Sequence, residues 1–330
     1  MSVTITRRRA LTILAAAAGV PLVLHATKAQ ARLVKWEGTA LGAPASLSLY
    51  HTDEAGARAA IDAAVAELRR LEGIFSLYRA DSAVAELNRA GRLDAAPAEL
   101  VELMGRAVET AALTGGAFDP TVQPLWQLYF DHFTAAEPDP AGPAAAAVAA
   151  ARALVDWRAI RVEAASVAFA RPGMGVTLNG IAQGYITDRV SGVLRAQGLE
   201  RMLVDMGEPR ALAAKPDGSA WRIGIADPTT PTRSVTTLDV VDKAVATSGG
   251  YGTIFDGAGR FTHLIDPASG DTAPALAGVT VVADTAARAD ALSTALSVAP
   301  AGRRQAIVTA AGGVTALFVA ADGAITTIES

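Results

Sequence analysis

No cysteine occurs among the 330 residues. No disulfide can brace this fold, and thiolate metal sites and cysteine nucleophiles are excluded with it. Packing alone must hold the chain, and a composition that is 51% hydrophobic supplies a sizeable core. The constraint is sharper because the N-terminus reads as an export address. Arg7-Arg8-Arg9 stand ahead of an apolar run from Ala10 to about Leu24, and Ala29-Gln30-Ala31 places small residues at the −3 and −1 positions of a cleavage site. A positive n-region, an apolar h-region and an A-x-A end make a secretory signal. Consecutive arginines point to the twin-arginine route. Thr12, Gly19 and Pro21 interrupt the run, which is shorter than the ~20 apolar residues a membrane span needs. We therefore expect residues 1–31 to be a cleaved signal, residues 32–330 to be the folded protein that works in the periplasm, and no stable membrane anchor to persist after cleavage.

The net charge of −4 comes without a basic patch, so nucleic acid is not an expected partner. Of four histidines, His25 leaves with the signal; His51, His132 and His263 are too scattered to suggest a zinc site on spacing alone. Residues 33–50 alternate as a strand pair. Residues 53–71 place Ala60, Ala64, Leu68 and Leu71 at helical spacing. Further helices are expected at 99–113, 181–197 and 287–297, and strands at 160–170, 175–178, 201–206, 221–226 and 234–247. Pro138, Pro140 and Pro143 mark a surface insertion near 135–153 that ends in an Ala-rich helix. Strands and helices come in clusters rather than strict βαβ repeats, which favours α+β over a doubly wound sheet.

Four stretches have the residues for chemistry. In Gly115-Gly116-Ala117-Phe118-Asp119-Pro120 a glycine pair lets backbone approach a ligand, although the same run also reads as a helix stop and turn. Thr177-Leu178-Asn179-Gly180-Ile181-Ala182-Gln183-Gly184 runs through a glycine turn into a helix whose free N–H groups suit an anion; ordinary strand–helix packing reads the same way. His263 and Asp266 stand three residues apart beside a proline turn, and such a histidine serves as acid or base, although a solvent-exposed histidine at a strand end reads the same way. Asp290 and Thr294 share a helix face at i and i+4 and offer two hard oxygen ligands suited to magnesium, in a pattern that is weak when taken alone.

Together and in this order, the four stretches resemble the ApbE family of FAD:protein FMN transferases. Phe75-Ser76-Leu77-Tyr78-Arg79, Leu87-Asn88-Arg89, Leu203-Val204-Asp205-Met206-Gly207 and Thr247-Ser248-Gly249 extend the likeness over nearly the whole mature chain. The resemblance implies an α+β, T-fold-related flavin-binding fold with mixed sheets flanked by helices. It implies an enzyme that splits FAD and joins FMN through a phosphoester to a threonine or serine of a target protein. It places Leu41, Tyr78, Ala117, Phe118, Asp119, Thr177, Gln183, His263 and Leu264 at the flavin, and Mg2+ on the Gly180 carbonyl, Asp290 and Thr294. His263 and Asp290 are the implied catalytic residues.

The chain also departs from the family pattern. Thr177 stands where an aspartate is usual and Gln183 where a lysine or another charged residue is usual. Leu41-Gly42-Ala43 replaces Met-Gly-Thr, and Glu208 replaces a second glycine after Gly207. Asn-Gly-Ile-Ala-Gln-Gly-Tyr, Val-Asp-Met-Gly-Glu and the twin-arginine signal resemble the NosX branch, which serves nitrous oxide respiration. That likeness implies a membrane-associated, NosR-like flavoprotein as acceptor. The missing charges at Thr177 and Gln183 equally suit a non-catalytic periplasmic protein that binds flavin and assists assembly.

Overall fold

A computed structural model describes residues 31–227, 233–272 and 276–330. Apart from Ala31, the segment read as an export signal lies outside the described residues. The strands are β1 (Arg32–Ala40), β2 (Ala43–His51), β3 (Arg92–Asp94), β4 (Ile160–Glu163), β5 (Ser166–Phe169), β6 (Met202–Asp205) and β7 (Pro209–Leu212). They continue with β8 (Trp221–Ala226), β9 (Ser234–Val240), β10 (Ala244–Gly249), β11 (Gly278–Ala283), β12 (Thr315–Val319) and β13 (Ile325–Glu329). The helices are α1 (Glu54–Phe75), α2 (Ala83–Ala90), α3 (Ala98–Leu113), α4 (Gln123–Thr134), α5 (Ala145–Arg152), α6 (Ala182–Ala196), α7 (Ala286–Val298) and α8 (Ala301–Ala311).

An eight-stranded sheet in the order β1-β2-β6-β7-β10-β11-β12-β13 divides the molecule. Period-two alternation assigns its two faces. Leu47 and Leu49 of β2, Met202 and Val204 of β6, Ala246 of β10 and Val279 and Val281 of β11 join the large core that the helices complete. Their neighbours Tyr50, Leu203, Val245 and Val282 point the other way, onto Trp221, Ile223 and Ile225 of the β8–β9 ribbon. The α+β class expected from clustering is what the chain builds, with sheets flanked by helices. The mixture is of sheets with helices, since every strand pairing among the described residues is antiparallel. Hairpins between consecutive strands need only short turns, whereas parallel neighbours need long crossovers.

Local sequence explains the elements that position the site. Asp53 caps α1 by accepting the Ala55 and Gly56 N–H groups at 3.0 and 3.1 Å, and Ala57, Ala60, Ile61, Ala64, Leu68 and Leu71 form its buried stripe. The expected strand at 175–178 is absent. There the Asn88 side-chain amide takes the place of a ladder: its Oδ1 accepts from the Val176 N–H at 2.7 Å and its Nδ2 donates to the Val176 carbonyl at 2.8 Å. α5, at the end of the proline-marked stretch, brings Val148 and Ala151 against a satellite core of Leu125, Tyr129 and Ile265. No helix among the described residues is long and apolar enough to cross a membrane.

Candidate active site

The first turns of α6 and α7 meet head to head. Gly184 in α6 donates its N–H to Asp290 Oδ2 at 3.0 Å. In return Asp188 of α6 accepts the Ala286 and Ala287 N–H groups of α7 at 2.9 and 3.0 Å. These are donors that a helix start leaves unpaired, and each helix supplies the carboxylate that satisfies the other. Arg210 Nη1 holds Asp188 at 2.5 Å.

This junction fixes one end of a cleft of about 250 Å3. One turn along α7 from Asp290, Thr294 faces Gly180; a β-carbon on Gly180 would stand only 2.8 Å from Thr294 Oγ1. Ser248 Oγ lies 3.3 Å from the same hydroxyl. Asp290 is only 3% exposed. Burial pushes its carboxyl up to about 7, opposed by the Gly184 N–H and reinforced by Asp188. Glu208 is the second buried carboxylate of the cleft. Burial raises it well above the ordinary glutamate range, and the Asp290 charge raises it further. Its Oε2 accepts the Thr247 N–H at 3.1 Å. Asp119 is the third carboxylate, and among the described residues no lysine or arginine lines the cleft.

The opposite wall is Ala117, Phe118 and Asp119. Gly115 and Gly116 precede it with φ of 58° and 82°, the left-handed backbone that glycine tolerates. The Asp119 carboxylate is spent on its own loop. Oδ1 accepts the Thr121 N–H at 2.8 Å and hydroxyl at 2.6 Å, and Oδ2 accepts the Trp157 N–H at 3.2 Å. Burial raises this carboxyl, against the pull of those donors. Thr177 is tied down by its N–H to the Pro120 carbonyl at 2.8 Å, and the Gln183 amide lies over the bare Cα of Gly207.

His263 and Leu264 close the cleft from the 253–265 loop. The His263 ring meets Thr253 through Nδ1, 3.2 Å from both the Thr253 N–H nitrogen and its carbonyl. With its proton on Nδ1, the ring donates to that carbonyl and leaves Nε2 free. Burial lowers its pKa, so the neutral base is the form present near pH 7.

Ten of the twelve sequence-derived residues thus line one cavity. Two stand apart. Leu41 turns the β1–β2 hairpin with Gly42, at φ of 48° and 87°, and its N–H goes to Glu72 Oε1 at 2.9 Å. Tyr78 is 70% exposed and borders a neighbouring hollow that shares Trp126 and Asn179 with the cleft. Sequence reasoning treated Glu208 only as a departure. No local pattern in the sequence shows that its side chain turns inward. No group of three or more His, Cys, Asp or Glu residues close enough to hold a metal occurs among the described residues.

Known proteins resemble this chain over most of its length. The family model described as the ApbE family matches residues 41–318. An FAD:protein FMN transferase of Treponema pallidum is 32% identical over 292 residues, 80% of this chain and 78% of that one. The apo Pseudomonas stutzeri flavinyl transferase ApbE superposes with a TM-score of 0.78 at 30% identity, over 91% of this chain and 95% of that one. The Thermotoga maritima ApbE protein superposes at 0.79 and 28% identity, over 90% and 97%. With its motifs gathered into one cleft and its length matched almost throughout, the chain belongs to the ApbE family.

Proposed function

We propose that this protein is an FAD:protein FMN transferase, exported by the twin-arginine route and working in the periplasm as residues 32–330. One observation carries the reading: buried Asp290 and Glu208 line a cleft that has no lysine or arginine among the described residues. A pyrophosphate there would meet carboxyl groups and no cationic lysine or arginine among the described residues, and a divalent cation is the counter-charge that such a cleft calls for. The donor set suits magnesium. Asp290, the Thr294 hydroxyl and the Gly180 carbonyl are hard oxygens, and magnesium is commonly held by one or two carboxylates together with substrate phosphates rather than by an all-protein cage. When bound, the ion supplies charge neutralisation at the pyrophosphate.

The protein's own residues do the rest. Ala117, Phe118 and Leu264 offer an apolar wall to the flavin, and the Asp119 loop keeps that wall in place. The hydroxyl of an acceptor threonine or serine attacks the FMN phosphorus. The new P–O bond forms as the bond to AMP breaks, and His263 Nε2 takes the hydroxyl proton. His263→Ala is expected to slow transfer by about 10²–10⁴-fold with FAD affinity little changed; an unaffected single-turnover rate would make His263 structural. The motifs shared with the NosX branch favour a NosR-like membrane flavoprotein as acceptor, in support of nitrous oxide reductase.

Uncharged Thr177 and Gln183 in the cleft favour a second reading, in which the protein holds flavin and assists assembly without transfer. Incubation of the purified protein with FAD, Mg2+ and the soluble domain of a candidate acceptor separates the two. Covalent flavin fluorescence on the acceptor after denaturing electrophoresis, with release of AMP, is the expected result. Intact flavin binding with neither product leaves the assembly reading.

A further inference from the structure

A second cavity, of about 370 Å3, lies behind the cleft and meets it at Glu208, Thr247 and Tyr251, which line both. One side of it is formed by consecutive residues of β8, Arg222 to Ala226, and none of its lining comes from β9. Side chains of a strand alternate between faces, so a cavity touching five successive residues lies along the edge of the strand. β8 pairs only with β9 among the described residues, and no other backbone hydrogen bond reaches residues 222–226. The hollow therefore fronts a free strand edge, with N–H and C=O groups that an added strand would satisfy.

We propose that this groove seats the acceptor: an extended polypeptide segment that adds to the β8 edge as a further antiparallel or parallel strand and presents its threonine or serine to the cleft. The inference rests on the transferase reading above. Of the edge strands among the described residues, β1, β13, β3, β4, β9 and β8, only β8 lines the cavity that adjoins the cleft. Five residues of edge span about 16 Å and hold an added strand about 4.8 Å away. Main-chain pairing of this kind gives affinity largely independent of sequence, while alternate side chains enter pockets. The inner end of the groove is furnished for a hydrogen-bond donor. Among the described residues, Asp205 accepts only the Gly207 N–H, through Oδ1, and Glu208 only the Thr247 N–H, through Oε2; the other oxygen of each carboxylate has no partner among them. Tyr251, shared by both cavities, is followed by Gly252, whose β-carbon would stand 3.0 Å from His263 Cε1. A hydroxyl passing Tyr251 thus arrives beside the base.

The test uses the FAD-loaded protein and the acceptor domain from the transfer assay, with its accepting threonine changed to valine to trap the complex. Amide hydrogen exchange across 222–226 is expected to slow at least tenfold on mixing. In parallel, Ala226→Trp, which fills the groove, is expected to raise the KM for wild-type acceptor at least tenfold while the Kd for FAD stays within twofold. Wild-type transfer without protection of 222–226, or with an unchanged KM in the variant, overturns the groove and leaves the transferase standing. No transfer by the wild-type protein overturns both. If the variant fails to bind FAD, hydrogen exchange alone decides.

Discussion

Replacing Asp290 with asparagine is expected to lower magnesium-dependent FMN transfer by about a thousandfold or more, the rate equivalent of roughly 4 kcal/mol. The same change should make the metal-free protein more stable in mild alkali. Asp290 is pushed up to about 7 by burial, against about 3.9 in an unfolded chain. The folded state therefore binds this proton more tightly than the unfolded state does. Stability is full below about pH 4 and is lost as pH rises through about 7. Glu208, raised by burial and by the Asp290 charge, acts in the same direction. Asparagine keeps an oxygen for the Gly184 N–H and removes the ionisation. In a chelator, the variant should exceed the wild type at pH 8 by on the order of 2–4 kcal/mol and match it near pH 4. Added Mg2+ should then raise the wild-type Tm and leave the variant nearly unmoved. Equal Tm values for the two metal-free proteins at pH 8 would remove the electrostatic basis of the proposed cation site.

The second large effect is expected from Gly184→Ala. On helix propensity alone alanine is the better residue by about 1 kcal/mol. Here its methyl would lie 2.3 Å from the Ala286 carbonyl oxygen and 2.7 Å from the Ala287 Cα. Both are backbone atoms of α7, which cannot swing aside as a side chain would. Forcing the helices apart is expected to cost about 3 kcal/mol or more, at the high end for overpacking. The separation also stretches the Gly184–Asp290 hydrogen bond, so cation-dependent transfer should fall with stability. Urea denaturation measures the first effect, and a Mg2+ titration of Tm measures the second. A variant as stable as the wild type would mean that α6 and α7 can slide without loss.

These two residues also show what was legible in the sequence. Asp290 and Thr294 could be paired from helical spacing, because a period of 3.6 residues is a local rule. Gly184 could be picked out as a small residue at a helix start, but its neighbour across the junction could not, since nothing local ties residue 184 to residue 286. The long helices and the α+β class followed from periodicity. The supposed strand at 175–178 did not survive, because Asn88 satisfies its backbone from 88 residues away. Leu41 was placed at the flavin by likeness of motif, and its left-handed backbone at a hairpin was not readable from the residue type. Glu208 was the reverse case. It was noticed as a missing glycine, and only the packing of the sheet against α7 turns it into part of the cleft. Residues whose role depends on a local period were readable; those whose role depends on which distant backbone they touch were not.

The exchange of carboxylates between α6 and α7 also sets a schedule for synthesis. Gly184 and Asp290 are 106 residues apart, and Asp188 and Ala286 are 98 apart. A chain leaving the ribosome at about 5–20 residues per second holds the start of α6 uncapped for roughly 5–20 s before its partner emerges. Throughout that interval the growing chain has the flavin wall at 117–119 but neither Asp290 nor Thr294. A nascent chain therefore has no finished cleft until translation is nearly over, and truncation anywhere before α7 is expected to yield a chain that cannot capture its donor.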